Sequence, residues 1–155
     1  MFEIFEELKA LVAALHDQEV QYALCGGLAM AVHGVTRATV DIDVLIPPED
    51  LNEAKRVARK RGFDVETLPA KFGGGAVEIH RVSKIEIEDP GGDVLTLDLL
   101  VVSPRTLSAW ESRQEVAWEG GSLWVVSREG LISLKEIRGS GQDKEDIRKL
   151  RGDEA

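Results

Sequence analysis

Apolar residues recur at helical spacing in several segments of the chain. In residues 2–16 the apolar positions fall on one face of a helix: Phe5, Leu8, Val12 and Leu15. Residues 28–32 are small and apolar, which favours a short buried helix that ends near Gly34. The same spacing predicts further helices at 49–61, 104–112, 128–138 and 144–150.

Other segments are rich in β-branched and aliphatic residues, which is typical of strands. The two clearest are 40–46, which a Pro-Pro pair ends, and 94–102. Further strands are predicted at 19–25, 63–68, 76–82 and 84–88, and a hairpin at 116–118 with 123–125. Glycine-rich segments predict a flexible loop at 71–75 and a turn at 89–92.

The order of these elements is helix, strand, helix, strand, helix, several strands and then helices. This order predicts an α/β (α+β) fold, with a mixed twisted sheet and flanking helices. The chain has 155 residues, 43% of them hydrophobic and 30% charged, which is a globular composition. It contains no internal repeat and no long linker, so we expect a single domain over residues 1–155.

Composition also bounds the compartment and the partners. Cys25 is the single cysteine and lies in an apolar run, which predicts a buried, reduced thiol. The N-terminus is acidic where a signal peptide would be basic, and no apolar stretch reaches the length of a membrane span. We therefore expect a cytoplasmic protein. The net charge of −9 argues against non-specific DNA binding, and a nucleotide that carries its own magnesium is an easier partner.

The segment Asp41-Ile42-Asp43 places two carboxylates inside an otherwise aliphatic strand. Residues two apart in a strand point to the same face, so the two charges repel each other unless a cation lies between them. A divalent cation is the natural candidate because hard cations take oxygen ligands. The other interpretation is an exposed edge strand with an acidic solvent face.

Asp98 lies in a second aliphatic strand, and an unpaired carboxylate there would cost several kcal/mol of desolvation. It therefore needs a partner. That partner is either a metal ion shared with Asp41 and Asp43 on an adjacent strand, or a basic side chain.

Gly26-Gly27 follows a predicted strand and precedes a predicted helix. Glycines at this place allow a tight turn and let backbone N–H groups approach a phosphate. The pair is either a phosphate-binding turn or only a turn.

These motifs together resemble the nucleotidyltransferase (polymerase β-like) superfamily. Within it, residues 26–43 look like the minimal, toxin-related group that includes AbiEii-type proteins. That group has a Gly-Gly turn, an Arg-x-Ser/Thr lead-in and an Asp-x-Asp strand. Residues 131–147 are also similar to it, and the resemblance extends over roughly residues 20–150. It implies the nucleotidyltransferase fold and a nucleoside triphosphate substrate.

The resemblance implies that Asp41, Asp43 and Asp98 are the catalytic residues and the metal ligands. Two Mg²⁺ ions are expected, with Mn²⁺ as the alternative, and Asp98 would help to deprotonate an acceptor hydroxyl. Gly26 and Gly27 would receive the triphosphate through backbone donors. The family commonly has Ser or Thr after the Gly-Gly pair, whereas this chain has Leu28, which offers no hydroxyl.

Three further residues are candidates for nucleotide binding: Arg37, Thr39 and Lys135. Arg37 either reaches a phosphate or forms a surface salt bridge. Lys135 either neutralises a phosphate or pairs with Asp143 or Asp146. Asp143 itself is expected to cap the last helix.

Two functions remain open from the sequence. The first is a metal-dependent nucleotidyltransferase that modifies a protein or RNA acceptor, including the role of toxin in a toxin–antitoxin pair. The second is a catalytically inactive module of the same fold that binds a nucleotide or a partner protein. In the first case a partner chain or an antitoxin is a further expected partner.

Overall fold

A computed structural model describes residues 2–36, 39–87 and 92–152. The described residues form six α-helices: α1 (Ile4–Asp17), α2 (Gly26–Val32), α3 (Leu51–Lys60), α4 (Leu107–Glu111), α5 (Arg128–Arg138) and α6 (Gly141–Leu150). A 3₁₀ turn at Pro48–Asp50 precedes α3. None of these helices is long and apolar enough to cross a membrane.

Eight strands form one mixed sheet in the described residues. They are β1 (Ala23–Cys25), β2 (Asp41–Ile46), β3 (Val65–Glu66), β4 (Ala70–Phe72), β5 (Val77–Glu86), β6 (Asp93–Val101), β7 (Gln114–Trp118) and β8 (Gly121–Val125). The order across the sheet is β3-β5-β6-β2-β1-β8-β7, and β4 pairs with β5. The pairs β2–β6 and β1–β8 are parallel and the others are antiparallel. The predicted mixed sheet is confirmed.

The core lies where the central strands meet the helices. α1 contacts α3 and β2, and α2 contacts β1, β2 and α5. The largest fully buried side chains include Leu11, Tyr22, Leu24, Ile42, Leu45 and Leu97. Cys25 is a buried free thiol, as predicted. Each of the strands β1, β2 and β6 has a neighbouring strand on both sides in the sheet, which restricts the positions of the side chains that it carries.

Four predictions of local structure need correction. The two strands predicted at 76–82 and 84–88 are one strand, β5, because its ladder with β6 continues through Ser83. The flexible loop predicted at 71–75 begins within β4, whose residues pair with β5. The strand at 19–25 is shorter, and the helix predicted at 28–32 begins two residues earlier, at Gly26. The turn predicted at 89–92 lies almost wholly outside the described residues.

The last two helices are joined by a capped corner. Gly139 ends α5 in the left-handed conformation, and Ser140 caps α6. The backbone N–H of Asp143 donates to the Ser140 hydroxyl, while the Asp143 carboxylate accepts from the Ser140 backbone, which is a capping box. Asp143 was predicted to be the cap itself, whereas the cap is Ser140, the helix begins at Gly141, and Asp143 completes the capping box from the third helical position. Because both helix ends are satisfied locally, the α5–α6 pair holds its side chains in a fixed position.

Candidate active site

The strand register brings the three aspartates to one place. β2 and β6 are parallel neighbours in which Asp43 pairs with Asp98 and Asp41 pairs with Thr96. Register partners on adjacent strands point to the same face, as do residues two apart on one strand. Asp41, Asp43 and Asp98 therefore share one face of the sheet, and all three line one cavity of about 260 Å³.

The same cavity contains most of the other candidate residues. Its wall includes Gly26, Gly27, Thr39 and Lys135. The Thr39 hydroxyl donates a hydrogen bond of 3.3 Å to the carbonyl oxygen of Asp41, which fixes the chain just before the acidic strand. Arg37 lies outside the described residues, so its predicted role stays a prediction.

Asp98 has a basic partner that the sequence analysis did not identify. Arg81 on β5 is the register partner of Asp98, and its Nε and a terminal nitrogen donate hydrogen bonds of 2.8 and 3.0 Å to the two carboxylate oxygens. This bidentate pair is the second of the two partners considered for Asp98. Asp98 still belongs to the acidic cluster, because the pair of Asp98 and Arg81 lines the same cavity as Asp41 and Asp43.

The sequence contains an indication that Arg81 lies opposite Asp98. A hairpin that closes around the predicted turn at 89–92 brings the residues just after position 80 opposite those just before position 100. Dividing β5 into two strands hid this pairing. Among the described residues, no group of three or more histidine, cysteine or acidic side chains is arranged as a ready metal site.

The acidic cluster is electrostatically unfavourable as it stands. Burial, followed by the charges of Asp98 and Asp41, raises the pKa of Asp43 to about 7. The hydrogen bonds and charge of Asp98, with smaller effects of Asp41 and Asp43, raise the pKa of Arg81 above its ordinary value. The two shifts have different main causes, which are burial for Asp43 and the hydrogen-bonded Asp98 carboxylate for Arg81, and the charges of the neighbouring aspartates add to both.

Gly26 is required where β1 passes into α2. Its φ of +69° is in the left-handed region. A Cβ atom at this position would lie 2.8 Å from Cγ and 2.9 Å from Cβ of Asp43. The absence of a side chain at Gly26 therefore lets the Asp43 carboxylate pack directly against the turn.

Cys25 precedes the turn and also lines the cavity, where its thiol is uncharged. Burial, with a smaller effect of Asp43, raises its pKa well above the ordinary value.

Lys135 lines the cavity but already has acidic partners. Its Nζ donates to Asp146 at 2.9 Å and lies 3.9 Å from Asp143, and the side chain is buried. The salt bridge considered as an alternative is therefore present, and a phosphate contact stays a prediction. Arg138, a half-exposed residue missed from the sequence, also lines the cavity and makes two hydrogen bonds of 2.7 Å to Asp143.

Comparison with known proteins gives a consistent family and fold. Residues 1–151 match the family model "Nucleotidyltransferase of unknown function (DUF6036)". A search of curated protein sequences found no significant match. The narrower likeness to AbiEii-type proteins stays a prediction.

Several solved structures share the fold. TM1012 from Thermotoga maritima, assigned as a nucleotidyltransferase, has a TM-score of 0.67 at 17% identity, covering 97% of this chain and 94% of its own. ANT(2'')-Ia, solved in complex with adenylyl-2''-tobramycin, has a TM-score of 0.60 at 17% identity, covering 94% and 86%. JHP933 from Helicobacter pylori has a TM-score of 0.55 at 18% identity, covering 95% and 64%. At these identities the likeness concerns the fold alone.

The contact between Gly26 and Asp43 can be tested by substitution. We expect Gly26→Ala to lower the free energy of unfolding by about 2 kcal/mol more than Gly34→Ala, because only the first adds a clash with Asp43. Gly34 is the matched control: its φ is +84° and a Cβ there meets nothing within 4 Å, so only backbone strain is added. Urea unfolding measures both. Equal losses would show that Gly26 does not pack against the carboxylate.

Removing one charge from the acidic cluster tests the repulsion. In EDTA at pH 8, we expect Asp43→Asn to raise the free energy of unfolding by about 1–3 kcal/mol, because burial and two neighbouring carboxylates disfavour its charge. The exposed Asp64→Asn is the control and should change stability by less than about 0.5 kcal/mol. Thermal and urea unfolding measure both variants. A destabilised Asp43→Asn protein would mean that the Asp43 charge is already compensated.

Proposed function

The chain belongs to the DUF6036 family of nucleotidyltransferases, and on that premise we propose that it transfers a nucleotidyl group from a nucleoside triphosphate to a protein or RNA acceptor with the help of divalent metal. The observation that carries this proposal is the convergence of Asp41, Asp43 and Asp98 on one cavity beside the Gly26 turn. Three carboxylates on one cavity wall offer the oxygen ligands that a divalent cation takes.

The residues present fit a divalent cation. The donors are carboxylate oxygens, which Mg²⁺ and Mn²⁺ prefer. The positively charged guanidinium of Arg81 already contacts Asp98, so positive charge is favourable at this position. We assign Asp41, Asp43 and Asp98 as the residues that would hold Mg²⁺, with two ions expected and Mn²⁺ as the alternative. Bound metal would supply neutralisation of the phosphate charge during transfer.

The chain's own residues have three further tasks in this proposal. The Gly26-Gly27 backbone lines the cavity without side chains, so a phosphate can approach its N–H groups. Thr39 holds the chain at Asp41 through its hydrogen bond to the carbonyl oxygen. Asp98 would accept the proton of the attacking acceptor hydroxyl once its carboxylate is available.

The cavity volume of about 260 Å³ is below the usual range of ligand pockets, about 300–1,000 Å³. We therefore expect it to hold the phosphates and the metal, with the base outside. Arg138 and Lys135 also line the cavity, and because both are paired with aspartates, each would contribute charge to a bound triphosphate only by giving up part of that pairing.

Within the two acceptor classes, two observations favour a protein. The net charge of −9 opposes an RNA backbone. Ile85 and Val94 are register partners on the same sheet face as the carboxylates, and they are 46% and 57% exposed. These two side chains lie four residues from Arg81 and Asp98 along their strands and outside the cavity, and such an exposed apolar pair suits a protein segment more than a phosphate chain. The resemblance of residues 26–43 to toxin-related proteins supports a role as the toxin of a toxin–antitoxin pair.

One observation favours the second candidate function, an inactive module that binds a nucleotide or a partner protein. Both carboxylate oxygens of Asp98 are engaged by Arg81. If that pair persisted in the presence of metal, Asp98 would neither bind a cation nor accept a proton. The two functions therefore differ in whether chemistry follows nucleotide binding.

Label transfer tests the proposal. The protein is incubated with Mg²⁺ and nucleoside triphosphates labelled at the α-phosphorus, together with total cell protein or total RNA. We expect label in the protein fraction, because a nucleotidyl group carries the α-phosphorus, and no transfer from the γ-labelled nucleotide. Asp41→Ala should reduce transfer at least about 100-fold, since it removes a metal ligand.

Controls separate the outcomes of this experiment. Asp64→Ala removes an exposed carboxylate outside the cavity and should transfer label like the wild type. Transfer that survives Asp41→Ala would contradict the assigned site. Nucleotide-dependent thermal stabilisation without any label transfer would favour the inactive module.

A further inference from the structure

Arg81 is a basic residue that contacts Asp98, one of the proposed metal ligands. It lies on β5 directly opposite Asp98 and binds both oxygens of that carboxylate. The Asp98 side chain is only 7% exposed, whereas that of Arg81 is 50% exposed. The carboxylate is thus fixed by the sheet, while the guanidinium sits at the solvent side of the pair.

The position of the pair makes it part of the acidic cluster. Asp98 is also the register partner of Asp43 on the other neighbouring strand. One strand of the sheet therefore carries a carboxylate between a second carboxylate on β2 and a guanidinium on β5. Asp98 is therefore placed to pair with either of two cations, which are the guanidinium of Arg81 and a metal ion shared with Asp43.

The two cations cannot use the same oxygens equally well. A bidentate arginine occupies both oxygens of a carboxylate in the plane of the group. A metal ion needs at least one of those oxygens, and two positive charges on one carboxylate repel each other. Occupation of Asp98 by either cation therefore weakens the other, and this coupling is reciprocal.

We propose that Arg81 is a positioning residue that substitutes for the metal: its guanidinium holds Asp98 in the metal-free protein, and divalent cation binding displaces it. The proposal rests on the proposed function, because it assumes that Asp41, Asp43 and Asp98 receive the cation. Because Arg81 must be displaced, the metal would bind more weakly than it would to the three carboxylates alone. It also accounts for Asp98 being engaged by an arginine within a catalytic cluster.

The half-exposed guanidinium makes this exchange feasible. A long side chain at the rim of the cavity can leave Asp98 without moving the strand that carries it. The carboxylate keeps its place because β6 pairs with β2 and β5 on both sides. The strands therefore hold the three aspartates on one face of the sheet, and in this proposal their side chains complete the metal site when the guanidinium leaves Asp98.

Mn²⁺ binding measured by electron paramagnetic resonance tests the proposal. We expect Arg81→Gln to lower the dissociation constant for Mn²⁺ at least about 5-fold, since the competing cation is gone. We expect Arg81→Lys, which keeps the charge but cannot bind both oxygens together, to fall between the wild type and Arg81→Gln. This variant also keeps the test valid if Arg81→Gln does not fold. Mg²⁺ should stabilise Arg81→Gln against heat more than the wild type, which is a second readout independent of activity.

Arg151→Gln is the matched control. Arg151 is 53% exposed and pairs with Glu136 through a hydrogen bond of 3.0 Å, and it does not line the cavity. Its substitution removes an exposed arginine and an ion pair without touching the cluster. We expect the Mn²⁺ dissociation constant to stay at the wild-type value.

The possible results separate this inference from the proposed function. Wild-type binding that Asp41→Asn abolishes, together with unchanged or weaker binding in Arg81→Gln, would overturn only the role of Arg81. Binding that appears in Arg81→Gln but not in the wild type would support it. Absence of Mn²⁺ binding in the wild type and in both Arg81 variants would contradict the metal-dependent function as well.

Discussion

The mutual repulsion of Asp41, Asp43 and Asp98 is the physical constraint around which the rest of the site is organised. The parallel pairing of β2 and β6 forces Asp43 and Asp98 into register, so neither charge can move away without breaking the centre of the sheet. Burial, together with the charges of Asp98 and Asp41, disfavours the ionised form of Asp43 and raises its pKa. The cluster therefore favours positive charge, and Arg81 supplies one such charge through its pair with Asp98.

The surroundings of the cluster leave room for a ligand and limit where it can bind. Gly26 lets Asp43 pack against the first turn of α2, because any side chain there would overlap the carboxylate. On the opposite wall, α5 and α6 hold Lys135 and Arg138 through buried aspartates. These basic residues are neutralised by Asp143 and Asp146 and do not collapse onto the acidic cluster. The cavity thus lies between the acidic cluster, which Arg81 contacts, and two basic side chains that are already paired with aspartates.

The fold could be predicted from the sequence because its strongest signals are local. The strand that carries Asp41 and Asp43 and the helix Arg128–Arg138 follow from apolar periodicity and from their end signals. The placement of Asp98 beside Asp43 was one of two alternatives from the residues, and resemblance to a family favoured it, since register is a long-range property. The partner of Asp98 was missed because Ser83 and Lys84 interrupt the apolar pattern of β5, although backbone pairing carries the strand through them. The ion pair of Lys135 was anticipated as an alternative, because two aspartates follow it eight and eleven residues later in the sequence.

A crystal structure with Mn²⁺ and a non-hydrolysable nucleoside triphosphate would test the central claim most directly. Anomalous scattering locates manganese independently of any interpretation of the electron density around it. Our account requires a manganese peak within bonding distance of the carboxylates of Asp41 and Asp43, with the triphosphate beside Gly26. A nucleotide bound elsewhere, or manganese absent from these carboxylates at saturating concentration, would contradict it.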